Sequence, residues 1–246
     1  FSAVTGDPLK PEPLFGHGPD FGYFYYGAIW YGDELWNGGM MQDVNDDGRF
    51  DDVDALDWDE SGNQGQGFRE WTTFQHPVLG TVEIGGFRPK FFAQNPPADE
   101  LERWARNQAL FNLEMAYSLP QIEWGAVDVR QLSEDGDSAT YEVAVSWRNS
   151  GALPTALRQA QLVKIVQEDR AQLEFDEELT EGASPRVRII DPETRDKTRY
   201  TGWTEPGEVK RTTFRVRTYG GDDVTATVQV LSTRGGVLER EITLGG

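Results

Sequence analysis

Thr140-Tyr141-Glu142-Val143-Ala144-Val145-Ser146-Trp147 places a large apolar residue at every second position. A period of two is that of a β-strand with one buried face, so Tyr141, Val143, Val145 and Trp147 share a side. Phe214, Val216 and Thr218 repeat the pattern. Runs at 156–166, 186–190, 209–218, 224–231 and 237–244 read as further strands. Glu134-Asp135-Gly136, Tyr219-Gly220-Gly221-Asp222 and Thr233-Arg234-Gly235-Gly236 supply the turns between them. About seven short strands at this spacing predict an antiparallel β-sandwich over residues 121–246. No nucleophile–base pair or ligand cluster falls inside it. Its expected role is packing, anchoring or partner contact, with carbohydrate binding the sharper option.

Upstream the texture differs. Pro96-Pro97 precede a helix expected over 99–118, with Leu101, Trp104, Ala105, Phe111 and Met115 near helical spacing as its core stripe. Leu119-Pro120 stops that helix and sets a boundary, giving domains at 1–120 and 121–246.

Between them in interest lies Asp43-Val44-Asn45-Asp46-Asp47-Gly48-Arg49-Phe50-Asp51-Asp52-Val53-Asp54. It fits the twelve-residue calcium loop of helix-loop-helix units. Asp43, Asn45 and Asp47 hold positions 1, 3 and 5, and Gly48 the sharp bend at position 6. Arg49 offers a backbone carbonyl at position 7, Asp51 sits at position 9 and Asp54 at position 12. Aspartate in place of the usual glutamate at position 12 resembles dockerin-type loops and implies a weaker, extracellular site. The competing reading is a solvated acidic turn. No long helical pattern stands out on either side, so the expectation is a structural Ca2+ loop inserted in another domain.

A second carboxylate, Glu34, ends the aromatic run 25–36, YYGAIWYGDELW. The run has the residues of a buried strand, and a carboxylate held between Ile29 and Trp36 would be partly desolvated, which raises its pKa towards the range of a general base. Most glutamates at strand ends are simply solvated or salt-bridged. Glu83 is a further candidate, but it alternates with Val82 and Ile84 and points away from their face.

Glu34-Leu35-Trp36, the stretch 71–97 (WTTFQHPVLGTVEIGGFRPKFFAQNPP), Leu119-Pro120 and Asn149-Ser-Gly-Ala-Leu-Pro-Thr155 occur in one order. Together they resemble the C-terminal part of a large bacterial branch of the zinc carboxypeptidases, densely over 20–120 and thinly after Thr155. The resemblance implies a mixed α+β chain: the end of an α/β carboxypeptidase domain, then the sandwich. It implies that Glu34 is the general base that activates a zinc-bound water, and that peptide is the substrate. The zinc ligands, two histidines and a glutamate, have no counterpart here. The chain has two histidines and no cysteine. His17 lies in a Gly/Pro turn and His76 before Pro77. Zinc and its ligands are therefore expected in an intact parent, with the N-terminal part of the peptidase domain as partner, and the isolated chain is expected to be inactive. The start at Phe1, with no signal-peptide pattern, fits a proteolytic product or a truncated chain. The alternative is a calcium-stabilised extracellular binding or structural module in which Glu34 is a relic.

Composition bounds both readings. A net charge of −19 over 246 residues disfavours nucleic acid and anionic membranes as partners. No segment approaches a membrane span. Eight Trp, thirteen Phe and eight Tyr suffice for real cores. The absence of cysteine removes disulfides and thiolate chemistry, and the calcium loop favours a secreted, extracellular or periplasmic bacterial protein, where free calcium is high.

Overall fold

The structure is a computed structural model and describes residues 15–32, 36, 43–92, 94–176 and 185–245. By its contacts the chain forms two compact units, one of residues 1–12 and 32–114, the other of residues 13–31 and 115–246.

The second unit holds the sandwich. Its strands are β3 (Ile122–Asp135), β4 (Ser138–Asn149), β5 (Arg170–Glu174), β6 (Val187–Ile189), β7 (Thr198–Tyr200), β8 (Val209–Tyr219), β9 (Val224–Ser232) and β10 (Gly236–Leu244). They form two antiparallel four-stranded sheets, β3-β4-β8-β6 and β10-β9-β5-β7. The alternation in β4 is realised: Tyr141, Val143, Val145 and Trp147 are buried, while Glu142, Ala144 and Ser146 are not. Phe214 and Val216 of β8 join them in one core with Leu173, Val228, Val230 and Leu244 of the other sheet. Each such side chain contributes about 1.5–3 kcal/mol of burial free energy, which is why this pattern dictates the fold.

Helix α1 (Gly18–Tyr26) belongs to the same unit. The aromatic run that reads as a strand is thus helical up to Tyr26, and no strand occurs among its described residues. Local signals outweigh the β-propensity of the rings: Pro19 stands in the first turn, Asp20 is placed favourably for the helix dipole, and Gly27 ends the helix at φ 57°. A short helix, Arg158–Leu162, receives α1. It replaces the strand expected at 156–166. Gly27 sits so close to it that a Cβ would lie 2.2 Å from the Ala160 Cα. Gln159 Nε2 donates to Phe24 O at 3.2 Å. These contacts group residues 13–31 with the sandwich, a division different from a single cut at residue 120.

The first unit contains α2 (Asp52–Gly62), the hairpin β1 (Phe68–His76) and β2 (Gly80–Phe87), the short α3 (Pro89–Phe92), and most of α4 (Leu101–Ser118). Its core is aromatic. Trp36 lies 6.0 Å from Trp58 and 5.4 Å from Trp104 between ring centroids, and Trp58 lies 5.4 Å from Phe92. Asp59, buried at the end of α2, accepts from Gly67 N at 2.7 Å and Phe68 N at 3.0 Å, which fixes where the hairpin starts. On α4 the covered positions are Trp104, Asn107, Gln108, Phe111, Met115 and Ser118; Leu101 and Ala105 are exposed.

The expected α/β carboxypeptidase domain is not present among the described residues. Among the described residues of this unit the sheet is a two-stranded antiparallel hairpin. An α/β domain needs parallel strands covered by crossover helices, and every strand pair among the described residues is antiparallel.

Candidate functional site

The loop 43–54 is shaped by its own side chains. Asp43 accepts from Asp47 N through Oδ1 at 3.2 Å and from Gly48 N through Oδ2 at 2.8 Å. Asn45 Oδ1 accepts from Asp47 N at 3.0 Å, and Asp47 Oδ1 from Arg49 N at 2.9 Å. Each side chain thereby bends the backbone towards the centre of the loop. Gly48 turns it at φ 79°, a conformation that side chains rarely adopt.

Positions 9 and 12 start a helix, which the sequence reading did not foresee. Asp51 is the N-cap of α2, accepting from Val53 N at 2.8 Å, and the Asp54 carboxylate returns to Asp51 N at 2.9 Å. This is a reciprocal capping box, visible in the sequence as Asp-x-x-Asp before Ala55, Leu56 and Trp58. Asp54 Oδ1 also accepts from Val44 N at 2.7 Å, so the last position of the loop closes onto the second. Asp54 is fully buried. The amides of Asp51 and Val44 hold its carboxyl below the usual aspartate range.

The donor set is oxygen-only, as a hard cation requires, and an oxygen that accepts one N–H keeps a lone pair for an ion. Asp43, Asn45, Asp47, the Arg49 carbonyl and Asp54, with Asp51 reaching through water, are the groups that could hold Ca2+. In the present geometry no three acidic or histidine side chains gather as metal ligands among the described residues. The same finding bears on zinc. His17 Nδ1 lies 3.5 Å from Asp20 Oδ2, and His76 Nδ1 accepts from Val78 N and Leu79 N at 3.2 and 3.1 Å. Neither histidine joins a ligand set, and the described residues do not fit a zinc site.

Glu34, the catalytic candidate, lies outside the described residues. Trp36, two positions on, donates from Nε1 to Phe92 O at 3.3 Å inside the aromatic core. Glu83 is exposed on β2 opposite Thr73.

A second polar cluster was legible only as the motif Asn149–Thr155. Asn149, fully buried, accepts from Gln121 N and Gly151 N at 3.0 Å each and donates to Leu153 O at 2.8 Å and Thr204 O at 3.2 Å. Thr155 and Thr204 donate their hydroxyls to Asp169 Oδ2 at 2.7 and 2.6 Å. All four residues are buried, and their role is to clip the loops at one end of the sandwich.

No helix among the described residues is long and apolar enough to cross a membrane. No curated protein matches the chain. Among solved structures, a protein from Archaeoglobus fulgidus is similar at 10% identity and TM-score 0.25, over 50% of this chain and 98% of its own. The archaellum periplasmic stator protein FlaG from Sulfolobus acidocaldarius is similar at 12% identity and TM-score 0.19, over 48% of this chain and 100% of its own. Residues 121–243, half of the chain and nearly all of the sandwich, match the family described as "Domain of unknown function (DUF8731)", and the chain belongs to that family.

Proposed function

We propose that this chain is a calcium-stabilised structural or binding module of an extracellular protein, without catalysis of its own. The observation that supports it is the loop 43–54, where ligand-type residues stand at positions 1, 3, 5, 9 and 12, the bend falls on Gly48, and position 9 caps the outgoing helix. A cation there offsets the repulsion among six aspartates in twelve residues and ties the loop to α2, whose Trp58 packs in the aromatic core. Free calcium outside cells is high enough to fill a modest site of this kind. The test is calorimetric titration of the chelator-treated chain with Ca2+. One site per chain, with a rise in melting temperature on calcium addition, is the expected result. A melting curve indifferent to calcium would rule the reading out.

A second reading keeps the peptidase resemblance. It is favoured by uncovered apolar side chains in the first unit, among them Trp71, Phe74 and Ile84 of the hairpin and Leu110 and Leu113 of α4. Surface of this kind asks for further chain to cover it. On this reading the chain is a piece of a longer hydrolase, Glu34 is its proton acceptor, and the metal ligands lie elsewhere in that protein. Sequencing the parent gene tests it: an upstream histidine-x-x-glutamate pair and a later histidine are expected, and a complete gene without them would end this reading.

A further inference from the structure

The sandwich is closed on one side and open on the other. At the closed side β3 and β10 adjoin, with Ile122 N donating to Gly235 O at 2.9 Å. At the open side the sheets end in the three-residue strands β6 and β7. A cleft of about 830 Å3 lies there, and its lining residues include Phe175, Tyr219, Glu174, Asp196, Arg188 and Arg195. Lys197, also in the lining, is held by Glu174 at 2.6 Å. Arg188 and Arg195 have no ion-pair partner among the described residues.

The placement of Arg188 is costly. It stands directly opposite Arg217 in the β6–β8 register, and like charges so opposed destabilise a sheet. Arg217 donates from Nη2 to Ser138 Oγ at 2.8 Å, lies 3.9 Å from the exposed Asp135 and sits 5.7 Å from the Tyr219 ring centre. Its Nε is buried with no partner. Guanidinium groups concentrated at one opening, in a chain with 42 acidic and 23 basic residues, run against the composition. An anion bound at Arg188 would offset its repulsion by Arg217.

We propose that this cleft binds an acidic oligosaccharide whose carboxylate is taken by Arg188 and Arg195. The planar guanidinium fork matches a carboxylate. Glu174 and Asp196 would repel a phosphate dianion but accept hydrogen bonds from sugar hydroxyls. Tyr219 and Phe175 offer apolar surface to the C–H faces of a sugar ring, and the volume suits a few sugar units.

The test is a titration of the full chain with tetragalacturonate, followed by calorimetry and amide shifts in excess chelator, because uronates themselves bind calcium. Neutral maltotetraose and inorganic phosphate are the comparison ligands. Saturable binding of the uronate is expected, weakened about five- to tenfold by Arg188→Ala and by Arg195→Ala and reduced by added salt. Both arginines are exposed, so circular dichroism should show both variants folded. No saturable uronate binding, equal affinity for the neutral tetrasaccharide or for phosphate, or binding untouched by both substitutions would each overturn the proposal.

Discussion

Arg234, in the turn between β9 and β10, donates from Nη1 to Gly27 O at 2.6 Å, a carbonyl 207 positions earlier in the chain. Its Nη2 reaches Tyr26 O as well. One guanidinium thus caps the last carbonyls of α1, where the helix dipole favours a cation. Partial burial holds its pKa below the ordinary arginine value, yet an arginine stays charged at any physiological pH.

Arg234→Ala should therefore loosen α1 from the sandwich at a cost of about 1.5–3 kcal/mol, the range for hydrogen bonds from a charged group. Gly27→Ala should do at least as much, because it combines a left-handed backbone with a clash against Ala160. Urea denaturation with Trp30 fluorescence as one probe checks both. A Gly27→Ala variant as stable as wild type would show that α1 does not dock as described.

Calcium dependence should follow the loop residues. Asp43→Ala removes both oxygens of position 1 and should abolish the calcium-induced rise in melting temperature. In excess chelator its own effect should stay small, about 1 kcal/mol for two lost backbone contacts at an exposed loop. Differential scanning calorimetry with and without Ca2+ separates the two effects.

Acid should act on the same loop. The Asp54 carboxyl has a depressed pKa in the folded state, so its contribution to stability is complete above the unfolded aspartate value of 3.8 and is lost as pH falls through the lower folded value. Glu123, bonded by Arg148 and Ser150, and Glu208, bonded by Lys210 and Glu205 N, shift in the same direction. Stability should hold down to about pH 4 and decline below it. Asp54→Asn should flatten that decline in a pH series of denaturation curves, while Asp54→Ala should also lower stability at neutral pH.

Asn149→Ala should be among the most damaging substitutions in the sandwich. It strands the amides of Gln121 and Gly151 and the carbonyl of Leu153, partly buried groups each worth about 1–3 kcal/mol when left unpaired, and leaves Thr204 O with Thr155 N alone. Asn149→Asp keeps the acceptor but loses the donor, and places a charge against Leu153 O and Thr204 O. It should fare no better, and chemical denaturation of the two variants distinguishes this clip from a merely steric role.

The sandwich was legible because a single face of β4, β8, β9 and β10 is buried, and burial on one face writes itself as alternation. The opposite held for 18–31, where rings are half-exposed on α1 and the deciding residues were Pro19 and Gly27 rather than the aromatics. In 156–166 the buried apolar residues, Ala156, Ala160 and Val166, pack as a small separate cluster, and Arg158, Leu162 and Lys164 on the same strand parity are exposed, so a buried strand face is not sustained. The hydrogen bonds that shape 43–54 are local, every partner lying within ten residues, so a turn there was within reach of the sequence. The Asn149 clip was not, because two of its partners are 28 and 55 residues away. The α/β expectation rested on resemblance rather than on a strand pattern, and the hairpin overturned it.

The Asn149 clip also sets how the sandwich bears load. Gln121 is where the chain enters β3, and its amide hangs on the Asn149 side chain, which in turn grips the segment before β8 at Thr204. Tension applied at residue 121 passes at once to the end of β4 and to the segment before β8, neighbours of β3 in one sheet, instead of peeling β3 away one bond at a time. Pulled from residue 121, the sandwich should therefore give way first at the clip and only afterwards between β3 and β4.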